Sequence, residues 1–232
     1  LDGVRCIIRK EHESVIAYSR QGNEITTIQK VLDDVSKIRG NFVLDGEICM
    51  MDENGNESFK DLMKQIKKKD HQIENPKYVM FDCLEIEEFD SEFGDVKLEQ
   101  RYEALNDIPL EKCPTLDVLE QHSISNIEEL TTMIDEAEEQ GHEGVMLRKN
   151  VGYEGKRTKN LLKCKKFHDA EYRVESCDFE NHRIIKEGTE VVVPMLAQVY
   201  ITHKGNEVAI GSGWSQEQRI RYEANPSEII GK

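Results

Sequence analysis

Apolar and polar residues alternate at the start of the chain: RCIIRK and SVIAYSR, on either side of the polar EHE, share a period of two and predict a β-hairpin. The period then lengthens. In KVLDDVSKIRG, Val31, Val35 and Ile38 fall on one helical face, and Gly40 stands where a helix C-cap is expected. FVLDGEICMM predicts a strand leading into a D-E-N-G-N turn. SFKDLMKQIKKKD predicts a helix that is polar outside, and PKYVMFDCLEI a buried strand beginning at proline. KLEQRYEALNDI and NIEELTTMIDEAEEQG have amphipathic spacing; the second is expected to open with Ser125 and Glu128 as a capping box and to stop at Gly141. HEGVMLRK and LLKCKKF predict two further strands. Residues 1–167 therefore make an α+β domain, with antiparallel sheets and flanking helices.

From residue 168 to 232 the pattern is different. EYRVESCDF, VVPMLAQVYITHKG and EVAIGSGW predict short strands separated by Gly, Asn and polar turns, with little helical periodicity. That spacing fits a small β-barrel, of which the OB-fold is one form. The closing PSEIIGK falls short of the strands such a barrel needs, so an incomplete barrel is expected.

Charge changes this picture locally. The chain has 232 residues, a net charge of −15 and 38% hydrophobic residues. An acidic balance taken alone argues against a nucleic-acid partner. No apolar run approaches the roughly 20 residues of a membrane span, and no signal-peptide pattern opens the chain. Cys6, Cys49, Cys83, Cys113, Cys164 and Cys177 form no C-x-x-C pair, which predicts reduced thiols, a cytoplasmic setting and no zinc site. Yet GHEGVMLRKNVGYEGKRTKNLLKCKKF carries eight Lys and Arg against Glu143 and Glu154. Lys163 and Lys165 are two apart in an apolar strand and so share a face. Two ammonium groups on one sheet face repel unless an anion lies between them, and a polyphosphate would satisfy both. Gly152 and Gly155, beside Tyr153, are expected to give a flexible loop able to follow a phosphate backbone.

Five segments share one oddity: LDGVR, VLDGEI, YVMFDCL, EGVMLR and LLKCKK are apolar strands that carry charges. A charge inside such a strand costs desolvation unless it meets a partner, a metal or a substrate. In order and spacing the set resembles the motifs of the ATP-dependent DNA ligases of the small phage and bacterial type, members of the covalent nucleotidyltransferase superfamily. LDGVR resembles that family's Lys-x-Asp-Gly-x-Arg motif without its lysine. YSRQG, with Arg20, resembles the serine-arginine-glycine hairpin. Glu47, the Phe81–Asp82 pair, Glu143–Gly144 and Lys163–Lys165 match the motifs that follow, and IGSGWSQEQR resembles a stretch of the ligase OB domain.

The resemblance implies an adenylation domain followed by an OB-fold domain, and sealing of 5′-phosphate/3′-hydroxyl nicks through a lysyl-AMP intermediate. The nucleophilic lysine is expected immediately before Leu1, and a last basic motif beyond Lys232. Lys163 and Lys165 are implied at the α-phosphate. Asp2, Gly3, Arg5, Arg20, Glu47 and Phe81 are implied around the nucleotide, with Phe81 stacked on adenine. Glu47 and Glu143 are implied as ligands of Mg²⁺ (or Mn²⁺), and ATP as the AMP donor. Arg148, Lys156 and Arg157 are implied on the DNA backbone. The implied partner is nicked double-stranded DNA, bound by a monomer in the cytoplasm of a bacterial or phage-infected cell. Plainer roles stay open from the residues alone: turn carboxylates at Asp2 and Glu47, a cap at Glu143, cross-strand pairs of Arg5 or Arg20 with Glu11 or Glu24, and core packing at Phe81 and Trp214. RNA ligases, mRNA-capping guanylyltransferases and a non-catalytic DNA-binding fragment are the competing readings.

Overall fold

The alternating segments at the start of the chain form the hairpin they predict: β1 (Val4–Glu11) and β2 (Ser14–Ser19) pair antiparallel from Cys6↔Ser19 to Glu11↔Ser14. The computed structural model describes residues 1–52, 57–166, 169–186 and 188–232. The chain divides into two units, Leu1–Lys166 and Phe167–Lys232. The expected boundary at 167 and 168, and residues 53–56 of the D-E-N-G-N turn that starts at Asp52, lie outside the described residues.

After the hairpin, the first unit continues with α1 (Gln29–Ser36), β3 (Phe42–Met50), α2 (Phe59–Gln65) and β4 (Pro76–Leu84). Next come α3 (Ile86–Asp90), β5 (Phe93–Gly94), α4 (Leu98–Asn106), β6 (Leu116–Val118) and α5 (Ile127–Glu139). Three short strands end it: β7 (Val145–Arg148), β8 (Tyr153–Glu154) and β9 (Leu161–Cys164). The main sheet has the order β2-β1-β3-β4-β6, while β5 pairs with β8 and β7 with β9. The expectation of antiparallel sheets is corrected at one edge, where β6 lies parallel to β4. The chain crosses back through α3 and α4 before reaching β6, and such a crossover delivers a parallel strand.

One face of the main sheet is apolar. Cys6, Ile8, Leu44, Ile48, Tyr78 and Met80 are fully buried there against Val31 and Val35 of α1, Leu62 of α2 and Leu105 of α4. Each fully buried aliphatic side chain contributes about 1.5–3 kcal/mol, so this face sets the position of every strand beneath the charged one. The Tyr78 hydroxyl lies 3.0 Å from the carbonyl oxygens of Cys6 and Leu44, which satisfies the one polar atom of that core side chain.

Two helix ends differ from expectation. Val31, Val35 and Ile38 are buried as their spacing requires, but α1 stops at Ser36 and Gly40 is no C-cap. The amides of Lys37 and Ile38 bond three residues back, to Asp34 and Val35, and this tightened turn ends the helix early. At α5 the cap is Asn126, whose side chain accepts from the Glu129 amide at 2.9 Å, rather than Ser125. The Glu129 carboxylate in turn accepts from the Ser125 amide at 2.7 Å, so the box is displaced by one residue.

In the second unit, β10 (Ser176–Lys186), β11 (Thr189–His203) and β12 (Asn206–Ile210) form an antiparallel meander, followed by α6 (Gln216–Ala224) and a 3₁₀ turn at Pro226–Glu228. The strand expected in EYRVESCDF begins only at Ser176 and runs on through NHRIIK. Among the described residues the sheet is open, with three strands and no barrel closure. Helix α6 lies where no helix is expected; it buries no residue fully, so its sequence has no apolar stripe to announce it. Its start is marked instead by a capping box between Ser215 and Gln218. Arg219 fixes it to the sheet by donating to the carbonyls of Leu196 at 2.7 Å and Ala197 at 3.0 Å.

Candidate active site

The other face of the main sheet carries the charges that the apolar strands could not explain. Arg5 of β1 and Glu47 of β3 are directly opposed, and Asp45 of β3 opposes Asp82 of β4. The register slips between Asp45 and Gly46, so that Phe81 is the extra residue of a β-bulge, paired with neither. A bulge re-aims a side chain, and Phe81 is partly buried while Met80 and Asp82 beside it are fully so.

Arg5 forks onto Asp45, with Nε–Oδ1 at 3.0 Å and Nη2–Oδ2 at 2.5 Å. Burial pushes the Asp45 carboxyl upward while the Arg5 hydrogen bonds pull it down, and the same bonds hold Arg5 more firmly protonated. This pairing replaces the cross-strand partners Glu11 or Glu24, and Glu11 is bound by Arg9 instead. Arg20 is exposed at the end of β2, next to the first residues of β1. Glu47 Oε1 accepts from the Gly3 amide at 2.9 Å, and the Asp2 amide donates to Glu57 at 2.6 Å. Burial raises the Glu47 carboxyl above its ordinary range, against the Gly3 N–H that lowers it.

Asp82, which is 3% exposed, sits between two arginines from different elements. Arg101 of α4 reaches it with Nε–Oδ1 at 2.7 Å and Nη2–Oδ2 at 3.1 Å. Arg148 of β7 binds Asp82 Oδ2 and donates from Nη1 to the Phe81 carbonyl at 2.7 Å. Gln121 donates to the same carbonyl at 3.0 Å. Arg148, read from sequence as a DNA contact, is thus engaged within the unit. Neither Asp45 nor Arg101 was singled out from the sequence, although both left a signal. Asp45 is a charge in an apolar strand, and Arg101 stands between Leu98 and Leu105 on the apolar face of its helix.

The β7–β9 ribbon carries the second charged group. Lys163 and Lys165 point the same way, as the period of two requires, and the anion between them is Glu143. Lys163 Nζ–Oε2 is 2.5 Å and Lys165 Nζ–Oε1 is 3.1 Å. The two lysines depress the Glu143 carboxyl below its usual range. Gly144 makes this geometry possible. Its φ is +145°, and a Cβ there would lie 2.2 Å from the Cys164 carbonyl. Any other residue would push Glu143 away from the lysines.

Gly152 and Gly155 do not line an open phosphate-binding loop. They let β8 lie against β5, where a Cβ on Gly152 would meet the Gly94 carbonyl at 2.0 Å and the Gly155 amide donates to Glu92 at 2.8 Å. Lys156 and Arg157 are exposed just beyond, Lys156 with its Nζ 3.9 Å from Glu154. The six cysteines are free thiols, and His71 is hydrogen-bonded to Gln65 at 2.8 Å. Trp214 packs with Leu196, Val199 and Ile229 in the core of the second unit.

Among the described residues no three His, Cys, Asp or Glu side chains gather into a protein-only metal cage. A hard divalent cation needs none when phosphate oxygens complete its shell, since one or two carboxylates suffice. Glu47, an oxygen donor held in place by a backbone amide, fits that demand. Glu143 has both oxygens on lysines. Among the described residues, no helix is long and apolar enough to cross a membrane.

Residues 1–165 match the family model of the ATP dependent DNA ligase domain. DNA ligase 2 of Methanosarcina mazei is 30% identical over 184 residues, which is 72% of this chain and 32% of that protein. The DNA ligase of Archaeoglobus fulgidus is 25% identical over 170 residues, 71% of this chain and 30% of its own length. The solved structure Pmar-Lig_Pre superposes with a TM-score of 0.81 at 26% identity, over 100% of this chain and 55% of that one. A structure from a study of Lig E DNA ligases shares the fold, with a TM-score of 0.69 at 21% identity over 100% of this chain and 80% of that one. The chain spans about a third of the length of the curated relatives it matches.

Proposed function

Because the chain belongs to the ATP-dependent DNA ligase domain family, we propose that it forms the nucleotide-transfer core of an enzyme that seals nicks in double-stranded DNA. The motif that LDGVR resembles carries a lysine, and the amine of that lysine is the nucleophile. It attacks the α-phosphorus of ATP, the bond to pyrophosphate breaks, and a lysyl-AMP phosphoramidate forms. AMP then passes to the 5′-phosphate of the nick, and the 3′-hydroxyl displaces it to join the strands. Chemistry of this kind requires positioning and charge neutralisation more than acid–base groups.

The observation that carries this reading is the convergence of Lys163 and Lys165 on one exposed carboxylate, at 2.5 and 3.1 Å. Where two lysines hold a carboxylate they can hold a phosphate, and a phosphate oxygen makes the same charge-assisted hydrogen bonds. They neutralise the α-phosphate and, as nearby cations, lower the pKa of the attacking amine. Arg5, braced by Asp45, and exposed Arg20 bind the sugar and phosphates. Phe81, turned out by its bulge, stacks on adenine, and Asp2 and Gly3 shape the wall beside the nucleophile. Glu47 would hold a divalent cation, Mg²⁺ or Mn²⁺, with Glu143 as the second carboxylate. Such a cation, when bound, neutralises phosphate charge. Lys156 and Arg157 contact the DNA backbone, and Arg148 supports the site from inside. The second unit belongs to an OB-fold domain that also contacts DNA, and the enzyme acts as a monomer inside the cell.

The test uses the full-length protein with a divalent cation and either ATP or GTP, followed by intact mass and then a nicked DNA substrate. A gain of one AMP with ATP alone, lost when the lysine of that motif is replaced, and sealing of the nick support the reading. A GMP adduct moves the protein to the capping class, and no adduct overturns the enzyme.

A further inference from the structure

We propose that Arg101 is a positioning residue for nucleotidyl transfer: it couples the main sheet to the β7–β9 ribbon and so sets where Lys163 and Lys165 stand. The proposal rests on the ligase reading of the ribbon, but its geometry is independent of that reading. Arg101 is 5% exposed and reaches three separate segments. Its Nε and Nη2 take both oxygens of Asp82 on β4. Its Nη1 donates to the carbonyl of Val96, ahead of α4, and lies 3.4 Å from the carbonyl of Val151, just past β7.

Helix α4 repeats the attachment at its first turn. The Leu98 amide donates to Val151 at 3.1 Å, the Glu99 amide donates to the Asn150 side chain at 3.1 Å, and the Asn150 amide group returns a bond to Glu99 at 3.1 Å. From the ribbon side, Arg148 completes the clamp on Asp82 and the Phe81 carbonyl. β7 pairs with β9 at Met146↔Lys163, so a shift of β7 carries the lysines with it. Arg101 touches no reacting atom and acts only through Asp82 and the 150–151 turn. Displacing a reacting group by about 1 Å costs about 100-fold in rate.

A lysine cannot copy this arrangement. It keeps the charge at Asp82 but lacks the planar fork that meets carboxylate and carbonyls together. Arg101→Lys therefore separates positioning from simple charge compensation. Leu105→Ala, on the same helix and fully buried in the apolar core, serves as the matched structural control. In full-length protein without nucleotide, hydrogen exchange of the Val145–Arg148 and Leu161–Cys164 amides is expected to quicken in Arg101→Lys. In Leu105→Ala these amides are expected to change no more than the rest of the unit. With ATP, the maximal rate of lysyl-AMP formation is expected to fall about 10–100-fold in Arg101→Lys. Its ATP affinity should change less than about 3-fold, because Arg148 and Gln121 still hold the Phe81 carbonyl. Wild-type exchange and rate in Arg101→Lys, or an equal loss of rate in a folded Leu105→Ala, overturns the proposal. Absence of lysyl-AMP from the wild-type protein overturns the ligase reading instead, and the exchange measurement still reports on the clamp.

Discussion

Two clusters in the first unit have the same composition, one carboxylate between two cations, and opposite surroundings. Asp82 with Arg101 and Arg148 has side-chain exposures of 4%, 5% and 21%, whereas Glu143 with Lys163 and Lys165 has 65%, 48% and 37%. Taking an ion out of water costs several kcal/mol, so the buried group holds because the Arg101 fork meets both oxygens of Asp82 and both arginines also reach backbone carbonyls. Once formed it cannot exchange partners cheaply. The exposed group contributes little to stability, because water solvates each member almost as well as its partner does. It can therefore release Glu143 and take an anionic ligand. Solvent exposure, with the charges held equal, separates a fixed brace from a cluster whose members can exchange partners.

The largest way to break this comparison is Asp82→Ala. Two guanidinium groups are then left facing each other, one of them fully buried, and the expected loss is about 3–5 kcal/mol, read from urea denaturation of the chain. Glu143→Gln is the opposite case. Its urea denaturation midpoint is expected to match the parent's. In a chelator-containing buffer, however, it should bind inorganic triphosphate more tightly by calorimetry, because the competing carboxylate charge is gone. An unchanged affinity would show that Glu143 does not occupy the phosphate position.

Salt sharpens the contrast at smaller scale. At about 1 M ionic strength the Debye length falls to about 3 Å, and the Glu143 carboxyl, followed by carbon-detected NMR titration, is expected to climb back toward the ordinary glutamate range. The smallest effect belongs to an intermediate pair. Burial raises the Asp34 carboxyl, but hydrogen bonds from Lys37 at 2.6 Å and from the Thr115 amide and hydroxyl at 3.0 and 2.7 Å outweigh it and leave it low. A carboxyl depressed by folding stabilises the protein above the ordinary aspartate range, and that contribution is lost as pH falls through its lower folded value. Asp34→Asn should flatten that part of the acid limb in a stability–pH series while leaving neutral pH behaviour of the two clusters alone.

Local chemistry explains what was legible beforehand. The hairpin, the face shared by Lys163 and Lys165, and the burial of Val31, Val35 and Ile38 all follow from side-chain periods of 2 and 3.6, which act within a few residues. The end of α1 and the cap of α5 were misplaced because competing bonds within a single turn decide them. Helix α6 was missed because it packs through Arg219 and half-buried residues rather than an apolar stripe. LDGVR, LDGE and the paired lysines marked strands that carry charges, but not which charges pair.

By itself the sequence determined the strands, most of the helices and the ligase family motifs, since each is written in neighbouring residues. Only the tertiary structure decided that Asp45 would brace Arg5, that Arg101 and Arg148 would close on Asp82 from 19 and 66 residues away, and that a bulge would turn Phe81 outward. It also decided that Glu143 would be the anion between two lysines 20 and 22 residues along the chain. The physical reason is that a charge in a strand states a need for a partner, whereas the partner's identity depends on which elements the apolar core brings within about 3 Å.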